Sequence, residues 1–221
     1  MDRIIEPELM EDPEQVEAYT VADFAESHQM RVTWFRERFG PASNYPTLLD
    51  LACGSGDMTL RFARALPETR ILAVDGSQTM LDSATRLLSA EPQLVPRVRF
   101  ACACLPDDPL PQESYAIVMS HSALHHFHDP QSLWSTIRAH AKSGTLVFVS
   151  DLRRTTSVEA AHQIVHERAG NEHPALQRDF AASLCAAFTP EEVREQLVAA
   201  GLDQLKVESI GDIYLLVWGI L

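Results

Sequence analysis

A chain of 221 residues with 46% apolar and 22% charged residues is long enough for one domain with a substantial core. Its formal net charge of −13 disfavours a nucleic-acid backbone as partner, and no apolar run approaches the ~20 residues that a bilayer span needs. Basic residues are thinly spread; Arg97 with Arg99 and the pair Arg153-Arg154 are the densest groups. Four cysteines, Cys53, Cys102, Cys104 and Cys185, lie outside any C-x-x-C spacing and follow no leader-like segment. That pattern predicts reduced thiols and a cytoplasmic location.

The first residues, EPELMEDPEQVEAY, are acidic and punctuated by proline. An amphipathic stretch with Val21, Phe24, His28, Met30, Val32, Trp34, Phe35 and Phe39 follows and predicts one or two helices, stopped by Gly40-Pro41. Apolar strand-like runs then recur at 47–52, 70–76, 98–103, 115–121 and 144–150, with helical patterns at 57–66, 77–90 and 130–141. Short apolar runs separated by amphipathic helices predict a parallel sheet covered on both faces. Residues 152–188 break the rhythm with two helices, near 156–169 and 174–187. Thr189 as N-cap and Pro190 at the first helical position open another helix that Gly201 ends. Strands at 203–209 and 213–219 across a tight Gly211-Asp212 turn form a closing hairpin. The expected fold is a doubly wound, mostly parallel seven-stranded α/β sheet, Rossmann-like, with an antiparallel C-terminal hairpin. It is read as one domain over 1–221: a helical N-terminal cover (1–40), a cofactor-binding core (47–151), a helical insertion covering substrate (152–188), and the closing helix and hairpin (189–221).

In such a sheet, ligands sit beyond the carboxyl ends of the strands. LLDLACGSGDMTL places a glycine turn at that end of the first strand. Gly54 and Gly56 permit close backbone approach, and the helix starting near Asp57 offers unpaired N–H groups. Asp75 ends the second strand and is placed to accept ribose hydroxyls. A dinucleotide turn would want a third glycine where Thr59 stands, and no Gly-Lys-Ser/Thr follows. Asp50 and Asp57 flank the turn and disfavour a pyrophosphate, whereas Asp50 attracts a cation. A ligand carrying ammonium, carboxylate and sulfonium suits this field: S-adenosylmethionine.

The segments LLDLACGSGD, AVDGSQTML, VRFACACLPDDPLP and YAIVMSHSALHHFHDP, in this order and spacing, resemble the class I S-adenosylmethionine-dependent methyltransferases of small-molecule type. The resemblance covers about residues 47–151. It implies that Asp50, Ala52, Gly54, Ser55 and Gly56 hold the methionine portion and that Asp75 binds the ribose. Gly76, Ser77 and Met80 lie against the sugar and adenine, Cys104 and Leu105 sit at the adenine edge, and Ser120 closes the cofactor site at the end of the fourth strand. Two departures stand out. Cys104 replaces an acid that many relatives carry, leaving the Leu105 N–H and the Asp107 side chain to serve the adenine. Tyr115-Ala116 replaces an aromatic-Asp pair.

His121, His125, His126 and His128 crowd into eight residues. His121 and His125 have the spacing of a helical metal pair, but Ser122-Ala123 breaks that face, and no metal is expected. A general base is the stronger role for an acceptor with a hydroxyl or ammonium proton; His126 is placed first and His125 second, with lining of the cofactor mouth as the alternative for both. His121, His125, Arg153 and Arg154 are the candidate substrate contacts, and Tyr19 is a candidate cofactor contact from the N-terminal helices. The expected activity is methyl transfer from S-adenosylmethionine to a small molecule, without nucleic acid or membrane as partner and with a homodimer open. A cofactor-binding scaffold or sensor without turnover, methylation of RNA or protein, and a dehydrogenase are the competing readings.

Overall fold

The computed structural model describes residues 1–40, 45–111 and 114–221. Two helices lead, α1 (Pro13–Val21) and α2 (Ala25–Phe39). Five strands follow, separated by helices: β1 (Thr47–Leu51), α3 (Asp57–Ala65), β2 (Arg70–Asp75), α4 (Gln78–Ser89), β3 (Val98–Cys102), β4 (Ile117–His121), a 3-10 turn at Leu124–His126, α5 (Gln131–His140) and β5 (Leu146–Leu152). The chain closes with α6 (Val158–Ala169), α7 (Pro174–Ala186), α8 (Pro190–Ala200), β6 (Lys206–Ile210) and β7 (Tyr214–Ile220).

The strands form one seven-stranded sheet in the order β3-β2-β1-β4-β5-β7-β6. The first five are mutually parallel, and β7 runs antiparallel to both β5 and β6. This is the doubly wound sheet that the sequence pattern predicts. Alternation along β1 explains its two-sided cover. Leu49 and Leu51 enter a core with Val118, Leu133 and Trp134, while Leu48 enters the opposite core with Phe62, Ile71 and Phe148. Strands buried on both faces need apolar residues at nearly every position, and the four-residue apolar runs supply them.

Some boundaries differ from the sequence reading. Residues 203–205 are turn rather than strand, with Leu202 and Leu205 packed in the core. Ile210 pairs with Tyr214, so the hairpin loop is 211–213 and not a two-residue turn. Gly211 takes φ 58° there, and the extra residue lets Ile213 enter a small core between α6 and α7. The cap at α8 is as expected. The Thr189 hydroxyl accepts from the Glu192 N–H while the Glu192 carboxylate accepts from the Thr189 N–H, which satisfies two end donors at once. Gly40 caps α2 at φ 78°; Pro41, the other half of the expected stop, lies outside the described residues.

α2 is fixed to the sheet by aromatic packing. Phe35 meets Phe62 and Phe148 edge-on, with ring centroids 5.2 and 5.4 Å apart, contacts worth about 0.5–1.5 kcal/mol each beyond burial. Val32 is buried in the same core. His28 and Arg31 lie on this helix seven and four residues before Phe35, so helical periodicity puts them on the same inward side. Anchoring Phe35 thereby carries them over the carboxyl ends of β1 and β4.

Candidate active site

The strand order reverses between β1 and β4, and the crevice of an open α/β sheet opens at such a point. A cavity of about 720 Å³ lies there, large enough for a cofactor and a small second ligand. Its wall includes the end of β1, the β2 end at Asp75, the β4 end at His121, and the inner faces of α1, α2 and α7. Two non-glycine residues take left-handed backbone at the ends of the two central strands, Ala52 at φ 55° and Ser122 at φ 49°. Such conformations cost of order 1–3 kcal/mol and cluster at ligand sites.

Asp50 is 1% exposed. Its Oδ2 accepts from the Thr59 hydroxyl at 2.6 Å, and its Oδ1 is buried with no partner. Burial, with the Asp75 charge adding to it and the Thr59 bond opposing it, pushes the Asp50 carboxyl up to about 7. Thr59, which stands where a dinucleotide turn would have its third glycine, is therefore the support for this acid. Asp75 accepts from the backbone N–H groups of Gly54 and Ser77, each at 2.8 Å. Burial raises its pKa against those two bonds. Each carboxylate oxygen has a second lone pair, so the Asp75 site keeps acceptor capacity while locking the turn. Gly56 sits at φ 81°, and a Cβ there would meet the Ala84 Cβ at 2.8 Å and the Phe100 ring at 2.9 Å. Its role is the close approach of α3 to α4 and β3.

Most of the expected site residues converge. Tyr19, Asp50, Ala52, Gly54, Ser55, Asp75, Gly76, Met80, Cys104, Leu105, His121, His125 and His126 all border the cavity. Gly56 and Ser120 do not; Ser120 is buried in the sheet with its hydroxyl unpartnered. Arg153 and Arg154 are also off the wall. An Arg153 Nη donates to the Asp212 carbonyl at 2.6 Å, and Arg154 pairs with Glu192 at 2.5 Å. These arginines tie the insertion to α8 and the hairpin loop and are not among the residues brought together at the cavity. At the adenine edge, Asp107 borders the cavity and Asp108 accepts from the Cys104 N–H at 2.8 Å.

The N-terminal segment is the largest addition to the sequence reading. Residues 3–10 pack against the core, and Glu8, Leu9 and Met10 of this segment border the cavity. Arg3 donates to the carbonyls of His125, Phe127 and Ala186 and lies over the Phe188 ring. Leu9 lies so close to Gly76 that a Cβ there would be 2.7 Å from Leu9 Cδ2, and the Met10 carbonyl accepts from Ser77. His125 and His126 are bound to this segment. His125 Nδ1 bonds to Asp151, and its Nε2 stands 3.6 Å from Glu6 Oε1. Burial opposes charge on His125, but Asp151 and Glu6 outweigh it and its pKa is raised. His126 Nδ1 bonds to the Pro7 carbonyl at 3.1 Å, and burial with the neighbouring His125 lowers its pKa to about 3. Glu6, His125 and His126 bring donor atoms within 4.8 Å of one another, a grouping invisible to spacing because Glu6 is distant in sequence. With His126 Nδ1 engaged by Pro7 and His125 held by Asp151, these contacts fasten the segment to the core.

Two other histidines on the cavity wall are not bound to the N-terminal segment. His28, 5% exposed, bonds through Nδ1 to Asp57 at 2.6 Å, and Asp57 is held in turn by Arg61 at 2.7 Å. Against this carboxylate the ring carries its proton on Nδ1, and its Nε2 makes no hydrogen bond among the described residues. Burial lowers the His28 pKa despite Asp57. His121 packs edge-on to it with centroids 5.0 Å apart and bonds to Ser150 at 2.8 Å. Burial first, then the Arg31 and His28 charges, hold His121 well below the ordinary imidazole value.

Residues 48–144 match the family model of the methyltransferase domain, the same stretch that carries the motifs quoted above. An uncharacterized methyltransferase of Schizosaccharomyces pombe is 30% identical over 104 residues, which are 45% of this chain and 37% of that protein. The chain thus spans just over a third of the length of that relative. The plantazolicin methyltransferase BpumL, solved with a desmethylPZN analog and S-adenosylhomocysteine, superposes with a TM-score of 0.69 over 93% of this chain and 89% of its own, at 14% identity. An S-adenosylmethionine-dependent methyltransferase of Aquifex aeolicus gives 0.69 over 95% and 98%, at 15% identity. These likenesses establish the methyltransferase fold. No helix among the described residues is long and apolar enough to cross a membrane.

Proposed function

We propose that this chain transfers a methyl group from S-adenosylmethionine to a small-molecule acceptor. One observation carries the reading: the buried, unpartnered Oδ1 of Asp50 at the cavity floor beside the Gly54 turn. A desolvated carboxylate oxygen without a donor is costly, and the α-ammonium of the cofactor's methionine portion supplies one. Ala52, Gly54 and Ser55 run along that portion. Asp75 takes the ribose hydroxyls with its remaining lone pairs, and Gly76, Met80, Cys104 and Leu105 enclose the base. Tyr19 closes the site from α1, while Gly56 and Ser120 support it from behind the wall.

When bound, S-adenosylmethionine would supply a methyl carbon on a sulfonium, open to attack by a nucleophile with S-adenosylhomocysteine as the leaving group. The protein aligns the acceptor and excludes water, and alignment alone can contribute a large part of the rate. For a protic nucleophile, His28 takes the proton on Nε2. Asp57 holds the ring in the tautomer that leaves this nitrogen open, and Arg61 keeps Asp57 charged. His126 and His125 yield this role to His28 because their polar contacts hold the N-terminal segment.

Incubation with methyl-labelled S-adenosylmethionine and fractionated cell extract tests the reading. Label is expected in a low-molecular-mass fraction. Label confined to protein or RNA, or no transfer at all, contradicts it.

A further inference from the structure

Arg31 stands one helical turn beyond His28 and is 3% exposed, yet it borders the cavity. It takes part in none of the ion pairs among the described residues. One Nη donates to the Ser27 carbonyl, the guanidinium lies on the Tyr214 ring with 4.2 Å between Cζ and the centroid, and Trp34 lies at 5.2 Å. Its Nε is buried and has no partner. Other half-buried arginines are placed differently: Arg38 pairs with Glu208 at 2.6 Å and Arg154 with Glu192 at 2.5 Å, while Arg3, Arg97 and Arg153 give their donors to backbone carbonyls and do not border the cavity.

A buried cation without an anion is costly to keep, and stacking on Tyr214 offsets only part of that cost. The buried acids of the cavity have other work. Asp50 is bound by Thr59, Asp57 by His28 and Arg61, and Asp75 by two backbone N–H groups. Asp23 and Glu26 border the cavity but are exposed, where solvent screens them. Glu172 and Asp179 border the cavity as well, with Asp179 set against Arg178 at 3.5 Å. The groups that act on Arg31 are Tyr214, Tyr19 and Asp151, the last already bonded to His125, and the neighbouring His121 is held neutral by burial. That leaves the counter-charge to a ligand. The cofactor has a carboxylate of its own, but it sits beside the ammonium assigned to Asp50 on β1, whereas Arg31 lies on the ring of Tyr214, which opens β7, three strands from β1 in the sheet order.

We propose that Arg31 anchors a carboxylate of the methyl acceptor, so that the substrates of this chain are small carboxylic acids. The inference rests on the methyl-transfer reading and narrows its substrate class. A planar carboxylate matches the guanidinium fork, and an acceptor pinned there brings its nucleophile toward His28, one turn away on the same helix.

Saturation-transfer NMR on the full chain saturated with S-adenosylhomocysteine, against pooled small carboxylic acids and their matched primary amides, tests this. Acids are expected to bind at least about tenfold more tightly than their amides, because a site built for a charged partner rejects the neutral analogue. Arg31→Met should erase that preference, with Arg31→Lys retaining part of it and S-adenosylhomocysteine affinity held within about threefold in both. Equal binding of amides and acids, a preference that survives Arg31→Met, no acid binding at all, or a loss of S-adenosylhomocysteine affinity in Arg31→Met, which would give Arg31 to the cofactor's own carboxylate, overturns the proposal. The acid-against-amide comparison uses wild-type protein and stands even where a variant does not fold. Failure of wild-type protein to bind S-adenosylhomocysteine would instead remove the methyl-transfer reading itself.

Discussion

Asp50→Asn is expected to weaken S-adenosylhomocysteine binding by roughly 10- to 100-fold while making the ligand-free protein more stable. The loss follows from removing a charge-assisted bond to an ammonium in a desolvated site, worth about 1.5–3 kcal/mol. The gain follows from linkage. The Asp50 pKa is about 7 in the folded protein against 3.8 for an ordinary aspartate, so between these values the folded state binds more protons than the unfolded state. Stability then falls as pH rises through that window, and the penalty is complete above pH 7. An amide at position 50 has no such penalty, and its NH₂ gives Thr59 and the cavity a neutral group. Thermal unfolding at pH 8 should therefore favour Asp50→Asn by about 1–2 kcal/mol, and the advantage should vanish near pH 4. Binding has the opposite slope: wild-type affinity should weaken as pH drops below 7, and the variant's weaker affinity should stay flat. Calorimetry and unfolding over pH 4–8 check both. A variant that is less stable at pH 8 would show that burial does not strain this carboxylate.

His28→Asn is expected to lower kcat by about 10²–10⁴-fold with S-adenosylhomocysteine affinity nearly unchanged, measured on whichever acceptor the label experiment yields. Asparagine keeps a donor toward Asp57 but has no group that takes up a proton. The pH profile separates this role from a packing defect. The His28 pKa lies below the ordinary 6.5, so wild-type kcat at saturating cofactor should hold as pH falls through 6.5 and decline only further down. In the variant that acid limb should disappear. His126→Ala, by contrast, should disturb the N-terminal segment and raise KM more than it lowers kcat. The reverse ranking of the two variants would return the role to His126.

Much of the fold was legible because it rests on local patterns. The strands read as strands since burial on both faces forces apolar runs, and the helix at 190–200 announced itself through Thr189, Pro190 and Gly201. The convergence of Asp50, Gly54 and Asp75 on one end of the cavity was legible for the same reason: they sit at fixed offsets from strand ends. The other end, with His28 and Arg31, was not. Its residues come from segments whose period says only that they are helices, so His28 and Arg31 read as part of an amphipathic face. Asp57 was noted as a flanking acid, yet its partner His28 is 29 residues away and no spacing rule joins them. Residues 3–10 have neither helical nor strand periodicity, and what fixes them is a set of contacts to His125, His126, Phe188 and Gly76 that only the tertiary structure assembles. Arg153 and Arg154 stood out because they follow a strand's carboxyl end, where ligands gather. Their charges are spent on Glu192 and on the hairpin loop.

The central claim is that the β1 turn, Asp50 and Asp75 form a site for an adenosyl sulfonium and not for a dinucleotide. Isothermal titration of the wild-type chain with S-adenosylhomocysteine and, separately, with a nicotinamide dinucleotide tests it most directly. The expected result is saturable one-to-one binding of S-adenosylhomocysteine, lost on Asp75→Ala, and no heat from the dinucleotide. Dinucleotide binding in the absence of any S-adenosylhomocysteine binding would contradict it.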